Sequence, residues 1–203
     1  MLGRLNPPTL MTMAGLICAL VACWLAQRGQ PELALVGLMA AGLCDLFDGL
    51  VARLCRPDAQ AREFGVQIDS LVDVVSFGLT PVLIAMAFGL DGPLGLVVGA
   101  LYLCAAAQRL AHFNVSVQSQ PGPVRHYTGL PVTFMALILP LVLALATLLP
   151  GRFFHWMLAL CLLVVGVLFV APVRVRKPSG LVYGVMPVLA LALSYFWVMR
   201  FHG

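Results

Sequence analysis

The sequence predicts an all-α fold, a polytopic membrane helix bundle in a single domain over residues 1–203, and three observations carry that prediction. Of the 203 residues, 62% are hydrophobic and 10% charged, with a mean hydropathy of +1.01. A water-soluble domain has no use for that much apolar surface. The apolar residues fall in seven runs of helical length, well beyond the strands of a barrel. Third, the cations are asymmetric. With a cytoplasmic amino terminus, one side receives Arg4, Arg53, Arg56, Arg62, Arg109, Arg125, Arg174, Arg176 and Lys177, and the other Arg28, Arg152 and Arg200. Nine against three fits the positive-inside rule and an odd number of spans.

The elements follow in order. Asn6, Pro7, Pro8 and Thr9 read as a helix start, with the prolines at first-turn positions that need no amide donor. A first membrane helix is expected from about Leu10 to Ala26. Arg4 ahead of it suggests a signal peptide, but no small-residue cleavage pattern follows, so it is kept as a span. A turn at Gly29 and Pro31 leads to a second helix, about Glu32 to Leu54. A polar connector from Arg56 to Arg62 precedes a third, about Glu63 to Gly89. Asp91, Gly92 and Pro93 signal a turn. The fourth helix runs from about Leu94 to Asn114 and contains Gly95 and Gly99, a pattern compatible with close helix packing or a homodimer. After a polar loop come helices at about Gly129–Leu149, with a kink at Pro140, at Phe153–Val170 and at Leu181–Met199. The six cysteines have no CxxC spacing and read as small packing residues.

Four of the eight acidic residues are concentrated in two of these helices. Asp45 and Asp48 share one face of the second helix, three residues apart. Asp69 and Asp73 share one face of the third, four apart. The chain reverses between the two helices, so the pairs meet at equal depth near one membrane face. Four carboxylates in so apolar a chain repel one another and are costly to desolvate unless a cation neutralises them. Oxygen donors suit Mg²⁺, Mn²⁺ or Ca²⁺. Gly49, Ala52 and Gly65 leave room for a ligand to approach the backbone, and Arg53 offers a planar cation to phosphate oxygens. Together these parts describe a metal-held, phosphate-bearing nucleotide.

The run from Asp45 through Asp48, Gly49, Ala52 and Arg53, then Gly65, Asp69 and Asp73, resembles the signature of the CDP-alcohol phosphotransferases. Eleven residues separate Arg53 from Gly65, a longer connector than is usual there, which bears on the pose of Arg53. The resemblance implies a six-helix family core plus one further helix, and two divalent ions, Mg²⁺ or Mn²⁺. It implies Asp45, Asp48, Asp69 and Asp73 as metal ligands, with Asp73 also the catalytic base. The nucleotide would be bound by Asn6, Thr9, Asp48, Gly49, Ala52, Arg53, Gly65 and Asp69.

The stretches Asp69–Pro81, Arg109–Asn114 and Tyr127–Pro131 look like the integral-membrane phosphatidylserine synthases. That branch implies CDP-diacylglycerol as donor and serine as acceptor, in a cytoplasmic (inner) membrane with the site facing the cytoplasm, and membrane lipids and a second copy of the chain as partners. Ser76, Arg109 and Arg125 are candidate acceptor contacts. Plainer readings stand beside them: Ser76 as a helix-packing residue, Arg109 as a snorkelling interfacial cation, the loop from Arg174 to Lys177 as positive-inside anchoring. Glycerol 3-phosphate or an inositol phosphate would call for more cations, and choline for an aromatic cage. A cation transporter would place its carboxylates near the midplane and in related halves, which this chain does not. No basic stripe or module supports nucleic-acid binding.

Overall fold

A computed structural model of the chain describes residues 6–55, 59–119, 126–148, 150, 153–172, 174–176, 180 and 182–202. It is a polytopic helical membrane bundle. α1 (Pro7–Gln27) opens with Asn6, whose side-chain oxygen accepts from the Thr9 amide at 3.0 Å and the Thr9 hydroxyl at 2.7 Å. This cap supplies an acceptor to donors that a helix start leaves unpaired. Gly29, at φ 73°, turns the chain into α2 (Pro31–Cys55). The two helices form the most extensive contact in the bundle. Ala19, Ala22 and Ala26 of α1 and Ala34, Leu38 and Ala41 of α2 are all buried in one core cluster. A Cβ on Gly37 would come within 2.9 Å of the Ala22 methyl. Small side chains let the backbones approach closely where lipid offers no hydrophobic drive.

The third span is continuous in direction but not in winding. α3 (Ala59–Asp73) passes into a π-turn (Val74–Leu79) and then α4 (Thr80–Ala87). Pro81 explains part of the break. It has no amide to give the carbonyl of Phe77 four residues earlier, and the Tyr102 hydroxyl from the next span supplies that carbonyl with a donor at 2.6 Å. Thr80 closes the turn, its amide and its hydroxyl both reaching the Val75 carbonyl. A single expected helix is therefore three segments.

α5 (Pro93–Ser119) carries Gly95 and Gly99. Both are used inside the chain: Gly95 packs on the Leu90 carbonyl, and a Cβ on Gly99 would lie 2.5 Å from Val82. The expected helix from Gly129 begins later, because Gly129 holds φ 82° and Pro131 is extended. A 3-10 turn (Val132–Phe134) then leads into α6 (Met135–Ala146). α7 (Phe154–Val170) and α8 (Val182–His202) complete the bundle. A short antiparallel ribbon, absent from the sequence expectation, pairs β1 (His126–Thr128) with β2 (Arg174–Arg176). Trp197 on α8 donates to the Pro140 carbonyl at 3.3 Å, which ties the last helix to the proline-bearing α6.

Among the described residues, five helical stretches are long and apolar enough to cross a membrane: Pro7–Gln27, Pro31–Ala52, Gln60–Ala87, Pro93–Ser116 and Tyr183–His202. Two shorter apolar helices, Val132–Ala146 and Phe154–Val170, lie among them. The seven hydrophobic segments expected from the sequence are thus all helical.

Candidate active site

Asp45 and Asp48 stand in the second half of α2 and Asp69 and Asp73 at the end of α3; both helices pack on α1, and the aspartates converge there. One carboxylate oxygen each from Asp45, Asp48 and Asp69 fall within 4.8 Å of one another. Asp73, one turn beyond Asp69, joins them in the wall of a cavity of about 10 Å³, together with Thr12, Val72, Ser76 and Phe77. That is about the volume one water-sized sphere occupies. α1 contributes directly: the Thr12 hydroxyl donates to Asp48 Oδ2 at 2.9 Å. The capped start of α1 sets Thr12 at that height, one turn after Thr9.

The residues present suit a divalent cation. The donor set is all oxygen, the spacing is within the reach of one ion, and Asp69 Oδ1 is buried with no hydrogen-bond partner. An unpartnered carboxylate oxygen facing three other carboxyl groups is hard to sustain without a cation.

Beside this pocket lies a second and larger cavity of about 290 Å³. Asp45, Asp69, Gly49 and Arg109 mark its polar end. Mostly apolar side chains of α2, α6, α8 and the 3-10 turn before α6 form the rest, among them Met39, Leu43, Leu137, Tyr183 and Met186, with Phe113 from α5. Asp45 and Asp69 border both cavities. Arg109 is 9% exposed, lies 5.3 Å from the Phe113 ring centre, and acts electrostatically on Asp45 and Asp73. At the same end, Ser70 donates to Asn114 at 3.0 Å and so joins α3 to α5.

The structure brings most of the expected site residues to one end of the bundle. Gly49 and Gly65 both have open space where a Cβ would stand. Asn6 and Thr9 hydrogen-bond to each other at the start of α1. Ser76, expected among acceptor contacts, lines the small pocket and is 1% exposed. Arg125 and the Arg53 side chain lie outside the described residues. Sequence reasoning missed Thr12, Tyr102 and the cleft residues from α6 and α8. Thr12 sits one turn beyond the Asn6 and Thr9 pair, a signal that was available. The cleft residues carry no motif, since their contribution is apolar shape.

A carboxylate pocket beside an apolar cleft, in a bundle with helices long and apolar enough to cross a membrane, defines a polytopic membrane protein with a candidate cation site. The chain belongs to the CDP-alcohol phosphatidyltransferase family, which it matches over residues 5–172. It is similar to the CDP-diacylglycerol–serine O-phosphatidyltransferase of Mycobacterium tuberculosis, 37% identical over 128 residues, 61% of this chain and 44% of that protein. The protein of the same name from Helicobacter pylori is 32% identical over 140 residues, 68% of this chain and 57% of the relative. The archaetidylserine synthase of Methanothermobacter thermautotrophicus is 28% identical over 176 residues, 86% of this chain and 71% of that protein. The chain thus spans about half the length of the bacterial relatives, from 44% to 57%.

Proposed function

We propose that the protein transfers a phosphatidyl group from CDP-diacylglycerol to the hydroxyl of L-serine, releasing CMP and forming phosphatidylserine. The observation that carries this reading is the shared wall. Asp45 and Asp69 face the cation-sized pocket on one side and a cleft of lipid-accepting character on the other. A donor's pyrophosphate at that wall would have its acyl portion beside Leu43, Leu137 and Met186. The names of the bacterial relatives support serine as acceptor.

Asp45, Asp48, Asp69 and Asp73 would hold two divalent ions, Mg²⁺ or Mn²⁺. When bound, such ions neutralise a pyrophosphate and act as Lewis acids and templates. Asp73 accepts the proton of the serine hydroxyl. The freed oxygen bonds to the phosphorus that carries the diacylglycerol, and the bond from that phosphorus to CMP breaks. Thr12 fixes the orientation of Asp48. Asn6, Thr9, Gly49, Ala52, Arg53 and Gly65, with Asp48 and Asp69, form the nucleotide side. Arg109 and Arg125 supply positive charge for the serine carboxylate.

The single domain sits in the cytoplasmic (inner) membrane with its site toward the cytoplasm, as the arginine distribution favours, and works as a homodimer. Cysteine labelling from either side of sealed vesicles tests the orientation, and mass measurement in detergent tests the dimer. The reaction is tested with purified protein, CDP-diacylglycerol and Mn²⁺ or Mg²⁺. CMP release is followed with serine, glycerol 3-phosphate, an inositol phosphate and choline in parallel. Release with serine alone, abolished by chelation and cut about 10²–10⁴-fold in D73N, is the expected outcome. Release with another alcohol would retain the chemistry and displace serine, and no release with any acceptor would sink the reading.

A further inference from the structure

Among the described residues, two buried side-chain atoms have no hydrogen-bond partner: Asp69 Oδ1 and Ser76 Oγ. Both residues stand in the wall of the same small pocket. Helical hydroxyls in apolar surroundings normally return to a carbonyl one turn back. Several other hydroxyls behave that way or find a partner across the bundle. Thr12 reaches the Pro8 carbonyl, Ser116 that of His112, and Thr147 that of Ala144, while Ser70 reaches Asn114. Ser76 does neither, although it is 1% exposed.

The reason lies in the winding. Ser76 is the third residue of the π-turn, and a π-turn changes where a side chain stands relative to the preceding turn. Two residues pin that turn from outside its own ladder. Tyr102 donates to Phe77, and Thr80 doubles its bond to Val75. A widened turn is an uncommon feature, and this one begins at the residue after Asp73.

We propose that Ser76 is a positioning residue of the cation site. Its hydroxyl hydrogen-bonds an oxygen ligand of the ion held by Asp45, Asp48 and Asp69, and the π-turn clamped by Tyr102 keeps it there. This rests on the reading that the aspartates bind a divalent cation. It removes Ser76 from the acceptor contacts and gives the turn a purpose.

The test is Mn²⁺ alone, titrated into the purified full chain in detergent, with free Mn²⁺ followed by electron paramagnetic resonance. S76A is expected to weaken Mn²⁺ binding about tenfold, as loss of an outer partner of a metal site does. Y102F, which leaves Ser76 in place but releases the turn, should weaken it in the same direction. The double variant should bind no more weakly than S76A. Without metal, S76A should melt at or above the wild-type temperature, because it removes an unpaired buried hydroxyl. A merely structural serine would not produce that opposition. Wild-type Mn²⁺ affinity in S76A, while D69N loses binding, would overturn the proposal and leave the cation site standing. Wild-type affinity in D69N as well would overturn both. If S76A does not fold, Y102F decides, and wild-type affinity there counts against the proposal.

Discussion

The two cavities share a wall and little else. The pocket of about 10 Å³ holds four aspartates and two hydroxyl-bearing residues, and its builders are α1, α2 and the third span. The cleft of about 290 Å³ takes its polar end from Asp45, Asp69 and Arg109 and its body from mostly aliphatic and aromatic side chains of α2, α5, α6, α8 and the 3-10 turn. The pocket is a matter of electrostatics, where one misplaced oxygen leaves charge uncompensated. The cleft is a matter of volume, where one methylene more or less changes affinity by a modest factor. Under the proposed reaction, chemistry and lipid selection would thereby be separable, except at the wall itself.

The largest expected effect comes from the wall. Asp69→Asn removes a charge common to both cavities and should lower CMP release by at least about a thousandfold, on the scale of losing a central electrostatic group. Loss of Mn²⁺ binding in the same variant would assign the defect to the pocket. Leu137→Trp in the cleft should raise KM for CDP-diacylglycerol by about tenfold, within the range of small changes in an apolar site. Its Mn²⁺ affinity should match wild type, and a change there would show that the cavities are not independent.

Thr12→Val strips Asp48 of its hydrogen bond at nearly constant volume. A bond to a charged group is worth about 1.5–3 kcal/mol; in this partly buried position we expect the low end, read as an approximately tenfold weaker Mn²⁺ affinity. Gly42→Ala probes the seam between α2 and α6, where an added Cβ would sit 2.6 Å from the Ala136 methyl. Overpacking of this kind costs about 1–3 kcal/mol. A lower melting temperature with near-normal Mn²⁺ affinity would confirm that the seam serves the cleft and the bundle, not the pocket.

How much of this was legible in the sequence differs between the two cavities for the same physical reason. Asp45, Asp48, Asp69 and Asp73 announce themselves because charge is rare in an apolar chain and helical spacing fixes which ones share a face. The convergence of both pairs followed from chain reversal alone. Leu137, Met186 and Tyr183 could not be picked out, because an apolar residue lining a cleft reads the same as one facing lipid. The π-turn was equally hidden: Val74 to Leu79 looks like ordinary helix, and only Pro81 two residues on hints that a carbonyl will need another donor. Gly129 and Pro131 did carry a readable break, yet the hydrophobic run across them suggested helix. The ribbon joins His126–Thr128 to Arg174–Arg176 across more than forty residues, a pairing that local pattern does not encode.

The brevity of α6 has its own consequence. With the 3-10 turn before it, the segment Val132–Ala146 rises only about 24 Å, short of the roughly 30 Å of a bilayer's hydrocarbon core. α2 and α5, with 25 and 27 residues, are far longer. Thr133 and Phe134, at the start of this short element, form part of the cleft. A span this short would leave the rim notched on that side, a mismatch that a bilayer accommodates by thinning. A lipid headgroup in the thinned annulus would lie level with the aspartates without leaving its own leaflet. Turnover should accordingly fall as the acyl chains of the host bilayer are lengthened, and a rate indifferent to thickness would show that the notch plays no part.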